Sequence, residues 1–526
     1  MDRIVVAGGG AMGAGIAYVA AAAGFGVDLI EPDAQAQERA KQRIAKDAQR
    51  AGLADAPARV QYYAELQPGM QAVLAIEAVP ERLDLKREIF AALSRALGPQ
   101  ALLATNTSSL PVSEIAQSAE HPDRVLGLHF FNPPAAMKLV EIVRGDETSD
   151  DTVARARVLV DAFGKTGVVT RDTPGFIVNR VARPYYLQAM RAYDEGAAPV
   201  EDLDRLARGA GFRMGPFELM DLIGLDVNLA TSQSVYAQTE AERLAPVQLQ
   251  RDMVAQNRLG RKTQSGFYDY AQGAPARDDE LPAVSPEKDD TESIVVIGYS
   301  GVASELHEML EQSHEHVRMW DNEDTLDEIT LDTTIVFDTG DGANDRSAVL
   351  TALDSLLAPE TVIFADAYAT DLAAVAKRMQ HPERLVGYGV LASLANQQVV
   401  EIVDAETTSD DALELAQEIF ESIGKRVALI EDIPGLFLGR TVGSIVNEAV
   451  YVVDEGIASP DDVDLAMRLG TNYPQGPLEW GREIGGDRVA RILQRLAAAE
   501  GAAYAPHRAL WVLDVQDEDE DSGLSG

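Results

Sequence analysis

Four polar residues in the first half of the chain have side chains suited to acid–base chemistry on a hydroxyl group: Ser108, His129, Glu141 and Asn179. A histidine takes up a hydroxyl proton near neutral pH, and a carboxylate beside it orients the ring. Ser108 in TNTSSL and Asn179 in PGFIVN could hydrogen-bond a substrate oxygen. The alternatives are a structural histidine, a solvated charge on a strand, a turn hydroxyl and a helix cap.

The same segments occur a second time without most of these side chains. LHFFNPPAAMKLVEIV returns later in the chain as YGVLASLANQQVVEIV. At the positions of the Ser, the His, the Glu and the Asn, the second copy has, in that order, Tyr368, Gly389, Glu401 and Gly439. The joint loss of three polar side chains predicts that the first copy is the catalyst and the second is a scaffold. Because the glutamate persists without a histidine, the glutamate of the first copy is expected to be partly architectural.

A glycine-rich loop near the N-terminus indicates dinucleotide binding. The sequence GGGAMG follows an apolar strand and opens a helix of small residues, so it satisfies G-x-G-x-x-G in the required context. Glu31, at the end of the next strand, is placed to accept from a ribose 2′-hydroxyl and favours NAD over NADP. The alternative is a glycine-rich turn without a ligand. The loop residues expected to contact NAD are Gly8, Gly10, Ala11, Met12 and Gly13.

The second copy of this loop differs at the positions that matter. Its sequence is Gly298-Tyr299-Ser300-Gly301-Val302-Ala303. Tyr299 and Ser300 would crowd the path of a pyrophosphate, and the third glycine of the fingerprint is absent. We therefore predict that the second copy binds no dinucleotide.

Short apolar strands alternate with helical stretches up to about Asn179, and helices alone follow. This alternation predicts a Rossmann α/β fold with a doubly wound, mostly parallel sheet, followed by an all-α domain. The return of RDTPGFIVNR as EDIPGLFLGR and of YDEGAAPVEDLD as VDEGIASPDDVD predicts that the pair of domains is repeated in degenerate form. The expected order is an NAD-binding domain 1–180, a helical domain 181–270, an acidic linker 271–293, a degenerate Rossmann-like domain 294–439, a second helical domain 440–513 and a disordered acidic tail 514–526.

Composition excludes several functions. A net charge of −40 makes nucleic acid and anionic membranes poor partners. The chain has no cysteine, which excludes disulfides, thiolate catalysis and Cys-ligated metals, and fits a cytoplasmic setting. Apolar runs are too short for a membrane span, and we expect no signal peptide at the N-terminus.

The quoted motifs, together with IEAVPERLDLK, MGPFEL and GRKTQSGFYDY, resemble the NAD-dependent L-3-hydroxyacyl-CoA dehydrogenases through about Tyr270. The second half resembles a degenerate repeat of the same enzyme. The resemblance implies oxidation of an L-3-hydroxyacyl-CoA to the 3-oxoacyl-CoA in fatty acid or related acyl-CoA catabolism, with NAD as cofactor and without a metal. RVARPYY and DLIGLDVNLA are similar to the subgroup that oxidises 3-hydroxyadipyl-CoA in phenylacetate degradation.

The resemblance also implies roles for individual residues. His129 would be the general base, Glu141 would orient it, and Ser108 and Asn179 would hold the reacting oxygen. Gln264 stands where the family usually has Gly, which puts the geometry of that loop in doubt. Beyond the glycine loop and Glu31, the residues expected around the cofactor are Glu81, Lys86, Ser108, Asn132 and Lys262.

Two other classes of protein remain possible at this point. One is a dehydrogenase of free β-hydroxy acids, which would use a lysine of the helical domain. The other is a non-catalytic NAD-binding module. As partners we expect an acyl-CoA substrate, with a second copy of the chain as a further candidate. The second helical domain is expected to act as an internal pseudo-partner of the first.

Overall fold

A computed structural model describes residues 2–67, 69–285, 287–320, 326, 328–329, 331–340, 346–368, 370–510 and 513. The acidic tail predicted at 514–526 lies outside this part of the chain. Every helix of the described part is too short or too polar to span a bilayer.

The first half of the chain builds an eight-stranded sheet. Its strands are β1 (Arg3–Ala7), β2 (Gly26–Ile30), β3 (Val60–Tyr63), β4 (Leu74–Glu77), β5 (Leu102–Thr105), β6 (Val125–Phe130), β7 (Leu139–Arg144) and β8 (Thr166–Arg171). The order across the sheet is β3-β2-β1-β4-β5-β6-β7-β8. All neighbours are parallel except β6 and β7, which are antiparallel.

Helices cover both faces of this sheet because its strands are apolar on both sides. They are α1 (Ala11–Ala22), α2 (Ala34–Ala51), α3 (Leu83–Ala96), α4 (Val112–Ala116) and α5 (Asp150–Ala162). On β1, Ile4 and Val6 join one apolar core with side chains of α1, α2 and α5. Val5, between them, joins a second core with side chains of α3 and α4. The prediction of a doubly wound, mostly parallel sheet is confirmed.

The second half repeats this plan in shorter form. In the described residues its strands are β9 (Asp289–Ile297), β10 (His314–Trp320), β11 (Ile335–Asp338), β12 (Val362–Asp366), β13 (Leu385–Gly389), β14 (Val399–Val403) and β15 (Arg426–Ile430), and its helices are α12 (Gly301–Ser313), α13 (Arg346–Leu356), α14 (Leu372–Ala376) and α15 (Asp410–Ser422). The order is β10-β9-β11-β12-β13-β14-β15, with β13 and β14 antiparallel. Strand β9 begins inside the segment expected to be a linker.

Within the part of the chain that the structure describes, each sheet is followed by helices without further strands, as predicted for an all-α domain. Those of the first half are α6 (Val178–Val181), α7 (Arg183–Asp194), α8 (Val200–Gly209), α9 (Pro216–Ile223), α10 (Leu225–Thr239) and α11 (Gln248–Ala255). Those of the second half, within the described residues, are α16 (Phe437–Asp454), α17 (Pro460–Thr471), α18 (Pro477–Ile484) and α19 (Gly486–Glu500).

The chain folds into two compact units, and each unit combines segments of both halves. The first unit comprises 1–182, 237–239 and 451–476; the second comprises 183–236, 240–450 and 477–526. In the first unit, α17 lies on α6, β7 and β8. In the second unit, α8 lies on β14. In each unit, therefore, a helix from one half packs on the sheet formed by the other half.

Candidate active site

The glycine loop joins the carboxyl end of β1 to α1, beside β4, where the strand order of the sheet reverses. Ligands of doubly wound sheets bind at such a point. Gly8 has a φ of +110°, in the region that favours glycine, and a Cβ there would lie 2.6 Å from the Ala78 carbonyl oxygen. A Cβ on Gly13 would lie 1.9 Å from the Gly8 carbonyl oxygen, so the helix approaches the strand only because this residue is glycine.

The start of α1 offers room and hydrogen-bond donors for an anion. A Cβ on Gly10 would meet no other heavy atom within 4 Å. The first N–H groups of a helix lack partners within the helix and carry its positive dipole end. Ala11 and Met12 open this helix, and no side chain caps it. The loop therefore fits the pyrophosphate of a dinucleotide.

Glu31 follows β2 and is hydrogen-bonded to the backbone around it. Its Oε2 accepts from the Gly9 N–H at 2.8 Å, and its Oε1 accepts from the Asp33 N–H at 3.0 Å. These bonds hold the carboxylate at the rim of the glycine loop. Its expected role as acceptor for a ribose hydroxyl stays a prediction.

Glu81 and Lys86 belong to a charged cluster at the carboxyl end of β4, formed by Glu77, Glu81 and Lys86. The Lys86 ammonium is 1% exposed and lies 2.8 Å from Glu77 and 3.1 Å from Glu81. Glu81 Oε1 accepts from Thr107 and from the Ser108 N–H, which ties the loop after β5 to the loop after β4. Burial raises the pKa of Glu81, whereas the Lys86 ammonium and the hydrogen bonds from the β5 loop lower it by more, so this pKa lies below its ordinary value.

His129 and Glu141 face each other across the antiparallel pair β6 and β7. His129 Nδ1 and Glu141 Oε2 are 2.6 Å apart, and both side chains are buried. The other oxygen, Oε1, accepts from the N–H groups of Ile177 and Val178 at 3.0 Å each. When Nδ1 donates to the carboxylate, Nε2 of the neutral ring carries the lone pair that can accept a proton.

The other expected site residues occupy different surroundings. Ser108 is exposed in the loop after β5, and Asn179 is half-buried, directly after the Val178 N–H that binds Glu141. Asn132 is exposed after β6, in a cis peptide with Pro133. Lys262 belongs to the second compact unit, where it is paired with Asp226.

Several residues of this site were not expected from the sequence. Phe131 and Phe176 flank the His129 ring at centroid distances of 4.6 and 5.7 Å. Asn106 accepts from the Phe130 N–H at 2.8 Å and fixes the end of β6. Phe131 lies two residues after His129 in the sequence, which was a usable signal, but Phe176 and Asn106 are brought there only by the fold.

In the second copy a tyrosine fills the equivalent place. The Tyr368 hydroxyl donates to Glu401 Oε2 at 2.6 Å, and Glu401 Oε1 accepts from the N–H groups of Phe437 and Leu438. Both side chains are buried. Burial raises the pKa of Glu401 to about 7, although the hydrogen bonds from Tyr368 and from the backbone lower it. Among the described residues, no three His, Cys, Asp or Glu side chains form a group that could hold a metal.

A glycine loop at the switch point of a doubly wound sheet, with a buried His–Glu pair at the edge, defines the class of nicotinamide-dependent dehydrogenases. Two family models match the chain twice each. The model of the 3-hydroxyacyl-CoA dehydrogenase NAD binding domain matches residues 3–173 and 304–433. That of the 3-hydroxyacyl-CoA dehydrogenase C-terminal domain matches 175–270 and 435–519. The chain belongs to the 3-hydroxyacyl-CoA dehydrogenase family, and the predicted repeat is confirmed.

Individual relatives agree with this assignment. The 3-hydroxyadipyl-CoA dehydrogenase of Escherichia coli (strain K12) is 36% identical over 507 residues, 94% of this chain and 94% of that protein. A probable 3-hydroxybutyryl-CoA dehydrogenase of Bacillus subtilis is 38% identical over 280 residues, 51% of this chain and 98% of that protein. The crystal structure of 3-hydroxybutyryl-CoA dehydrogenase from Escherichia coli K12 has a TM-score of 0.76 and 35% identity, covering 97% of both chains. The protein is thus an oxidoreductase that uses NAD.

Proposed function

We propose that the first half of the chain oxidises the 3-hydroxyl group of an L-3-hydroxyacyl-CoA, with His129 as general base. The observation that carries this proposal is the 2.6 Å contact between His129 Nδ1 and Glu141 Oε2. It fixes the ring and leaves Nε2 to take up the hydroxyl proton. The second carboxylate oxygen is held by two backbone N–H groups, so Glu141 cannot turn away from the ring without losing those bonds.

The residues around the glycine loop support NAD as the cofactor. Gly8, Gly10 and Gly13, with the N–H groups of Ala11 and Met12, would hold the pyrophosphate, and Glu31 would bind a ribose. NAD supplies the hydride acceptor when bound. The Glu81 carboxylate, whose pKa lies below its ordinary value, stays charged and keeps the loop that carries Ser108 in place. Ser108 and Asn132 are proposed as further contacts with the cofactor, whereas Lys86, buried between Glu77 and Glu81, would support them through the Glu81 carboxylate.

Ser108 and Asn179 are proposed to hold the reacting oxygen. Both lie near the carboxyl edge of the sheet on loops or helix ends that the Glu81 and Glu141 carboxylates fix. Hydrogen bonds to the substrate oxygen orient the hydroxyl proton toward His129 and stabilise negative charge that develops as the proton leaves.

The acyl group is proposed to be short, either 3-hydroxybutyryl or 3-hydroxyadipyl. Similarity over nearly the whole chain to the 3-hydroxyadipyl-CoA dehydrogenase of Escherichia coli, and to the Escherichia coli crystal structure that is named 3-hydroxybutyryl-CoA dehydrogenase, supports this range. Similarity to the adipyl enzyme favours a role in phenylacetate degradation over general fatty acid oxidation. We also retain the prediction that the protein works in the cytoplasm.

The test is NADH formation with 3-hydroxybutyryl-CoA and 3-hydroxyadipyl-CoA, comparing the wild type with His129→Ala. We expect turnover to fall by roughly 10²- to 10⁴-fold, the usual contribution of a general base. His121→Ala is the matched control. His121 is exposed and lies shortly before β6, so this substitution should leave turnover unchanged. Activity with CoA-free 3-hydroxy acids alone would favour the free-acid class. NAD binding without turnover of any substrate would favour a binding module.

The second half is proposed to act as an internal pseudo-partner of the first helical domain. Within the second compact unit, α16 contacts residues of the first helical domain. Gln188 donates a hydrogen bond to the Ser444 hydroxyl. Two ion pairs join the same elements, Arg440 with Glu195 and Arg243 with Glu448. Arg440 is fully buried in this contact. Such contacts would imitate within one chain the subunit contact of shorter relatives.

A chain that ends after Tyr270 tests this proposal. Without 451–476, the surfaces of α6 and β7 that α17 covers would be open. We expect the shortened chain to dimerise or to lose stability, as measured by sedimentation and urea unfolding. A shortened chain that is monomeric, fully active and equally stable would contradict the pseudo-partner role.

A further inference from the structure

Glu455, from the second half of the chain, forms a two-pronged ion pair with Arg180 of the first half. Both residues belong to the first compact unit. The Arg180 Nη1 and Nη2 atoms lie 2.6 and 2.8 Å from the two oxygens of Glu455. Arg180 is 2% exposed, so the pair compensates a buried charge. A guanidinium–carboxylate fork of this kind also fixes orientation, because both hydrogen bonds must stay parallel.

This ion pair lies directly behind the residues that hold the catalytic carboxylate. Arg180 is on α6, two residues after Val178, whose N–H binds Glu141. The same segment of the second half makes a further contact nearby, since the Arg171 N–H donates to the Ile457 carbonyl at 2.9 Å. Helix α17 packs on α6 so closely that a Cβ on Gly470 would lie 3.0 Å from the Val178 side chain.

We propose that Glu455 is a positioning residue for the catalytic His–Glu pair. It fixes Arg180 and thereby α6, whose first N–H groups hold one oxygen of Glu141. The other oxygen of that carboxylate holds the imidazole. The expected effect on turnover rests on the proposed function. It assigns to the second half of the chain a direct part in the geometry of the first site.

The second half provides a matched control for this arrangement. Arg440 pairs there with Glu195 at 2.7 and 3.2 Å, and it follows the N–H groups of Phe437 and Leu438, which hold Glu401. This ion pair has the same chemistry and the same place in the repeat, but a glycine replaces the histidine. Arg440 also pairs with Glu500, so the Glu195 pair matches the Glu455 pair in position and chemistry but is one of two ion pairs of its arginine. Loss of the Glu195 pair reports a structural effect without a catalytic part.

The experiment compares Glu455→Gln with Glu195→Gln in the full-length chain. For Glu455→Gln we expect kcat to fall roughly tenfold while the KM for NAD stays within about twofold, because misplacing a base affects the transition state and leaves cofactor binding intact. Glu195→Gln should leave kcat unchanged. Arg180→Lys keeps the charge and loses the fork, and should lower kcat like Glu455→Gln. It decides the question if Glu455→Gln fails to fold.

A double mutant tests whether Glu455 acts through the carboxylate of Glu141. If it does, Glu455→Gln should reduce kcat little further in a Glu141→Gln background, since residues that act as one unit are not additive. Fully additive losses would overturn the proposal, because they would show that Glu455 acts independently of Glu141.

A measurement without substrate separates this inference from the proposed function. The proton between His129 and Glu141 should give a far-downfield NMR signal that disappears in His129→Ala. We expect the signal to shift or broaden in Glu455→Gln and to stay unchanged in Glu195→Gln. An unchanged signal in Glu455→Gln would overturn the inference. Lack of turnover in the wild type would refute only the proposed function, and the NMR signal would still decide the role of Glu455.

Discussion

The two copies of the sheet hold a buried carboxylate in the same way and use it differently. In both copies, one carboxylate oxygen accepts hydrogen bonds from two backbone N–H groups, at the start of α6 in the first copy and of α16 in the second. In the first copy the other oxygen meets His129, a group that can exchange a proton with a substrate. In the second copy it meets the hydroxyl of Tyr368, which has no such role at neutral pH.

The comparison separates the structural task of the carboxylate from its catalytic task. Glu401 shows that the fold retains this acid even where no histidine needs it. Hydrogen bonds to both oxygens of Glu401 offset part of the cost of desolvation, and burial raises its pKa to about 7 despite them. The first copy differs in having a histidine on the facing strand and a serine instead of the tyrosine, so that an imidazole meets the carboxylate.

The largest expected difference between the copies concerns the two carboxylates themselves. Glu141→Gln should lower kcat by roughly two to four orders of magnitude, because an amide favours the wrong tautomer of the histidine. Glu401→Gln should leave kcat unchanged. Steady-state NADH formation with both variants checks this. Equal losses would mean that the second copy takes part in the reaction.

The next prediction concerns pH. Because the folded pKa of Glu401 is raised to about 7 from an ordinary 4.5, folding favours the protonated form. Protonation of Glu401 therefore adds to the unfolding free energy. The added stability, about 3 kcal/mol, is fully present below pH 4.5 and is lost as the pH rises through 7. Urea unfolding at several pH values should show that the unfolding free energy of Glu401→Gln rises relative to that of the wild type as the pH increases from 4.5 to above 7. A constant difference between the two proteins would contradict the shifted pKa.

A smaller effect is expected where tyrosine replaces serine. Tyr368→Phe removes the hydroxyl that donates to Glu401 and should cost about 1–3 kcal/mol of unfolding free energy without changing turnover. Ser108→Ala removes an exposed hydroxyl and should change stability by at most about 0.5 kcal/mol while lowering kcat. An unchanged kcat in Ser108→Ala would contradict the proposed role of the Ser108 hydroxyl in holding the reacting oxygen.

The smallest effect concerns the two glycine loops. A Cβ on Gly10 or on Gly301 would meet no other heavy atom within 4 Å. Neither Gly10→Ala nor Gly301→Ala should change the unfolding free energy by more than about 1 kcal/mol. Only Gly10→Ala should weaken NAD binding, as measured by calorimetry, because only that loop is proposed to approach a pyrophosphate. Equal NAD affinity in both variants would argue against the assignment.

Local patterns were sufficient to predict the fold class and the repeat. The alternation of strands and helices, the glycine spacing and the returning motifs depend on residues close together in sequence. The fold also brings His129 next to Glu141, as the family resemblance implied. The role of each site residue stays a prediction, and the burial of Lys86 between two carboxylates was not expected, since a lysine in an amphipathic helix is usually exposed.

The sequence by itself determined which half carries the side chains for chemistry, because loss of the serine, the histidine and the asparagine is visible without coordinates. Only the tertiary structure decided that Tyr368 takes the place of the missing base, and that Glu455 and α17 support α6 from the other half. Those contacts join residues far apart in the chain. They depend on how helices and strands pack, which no local spacing of residues encodes.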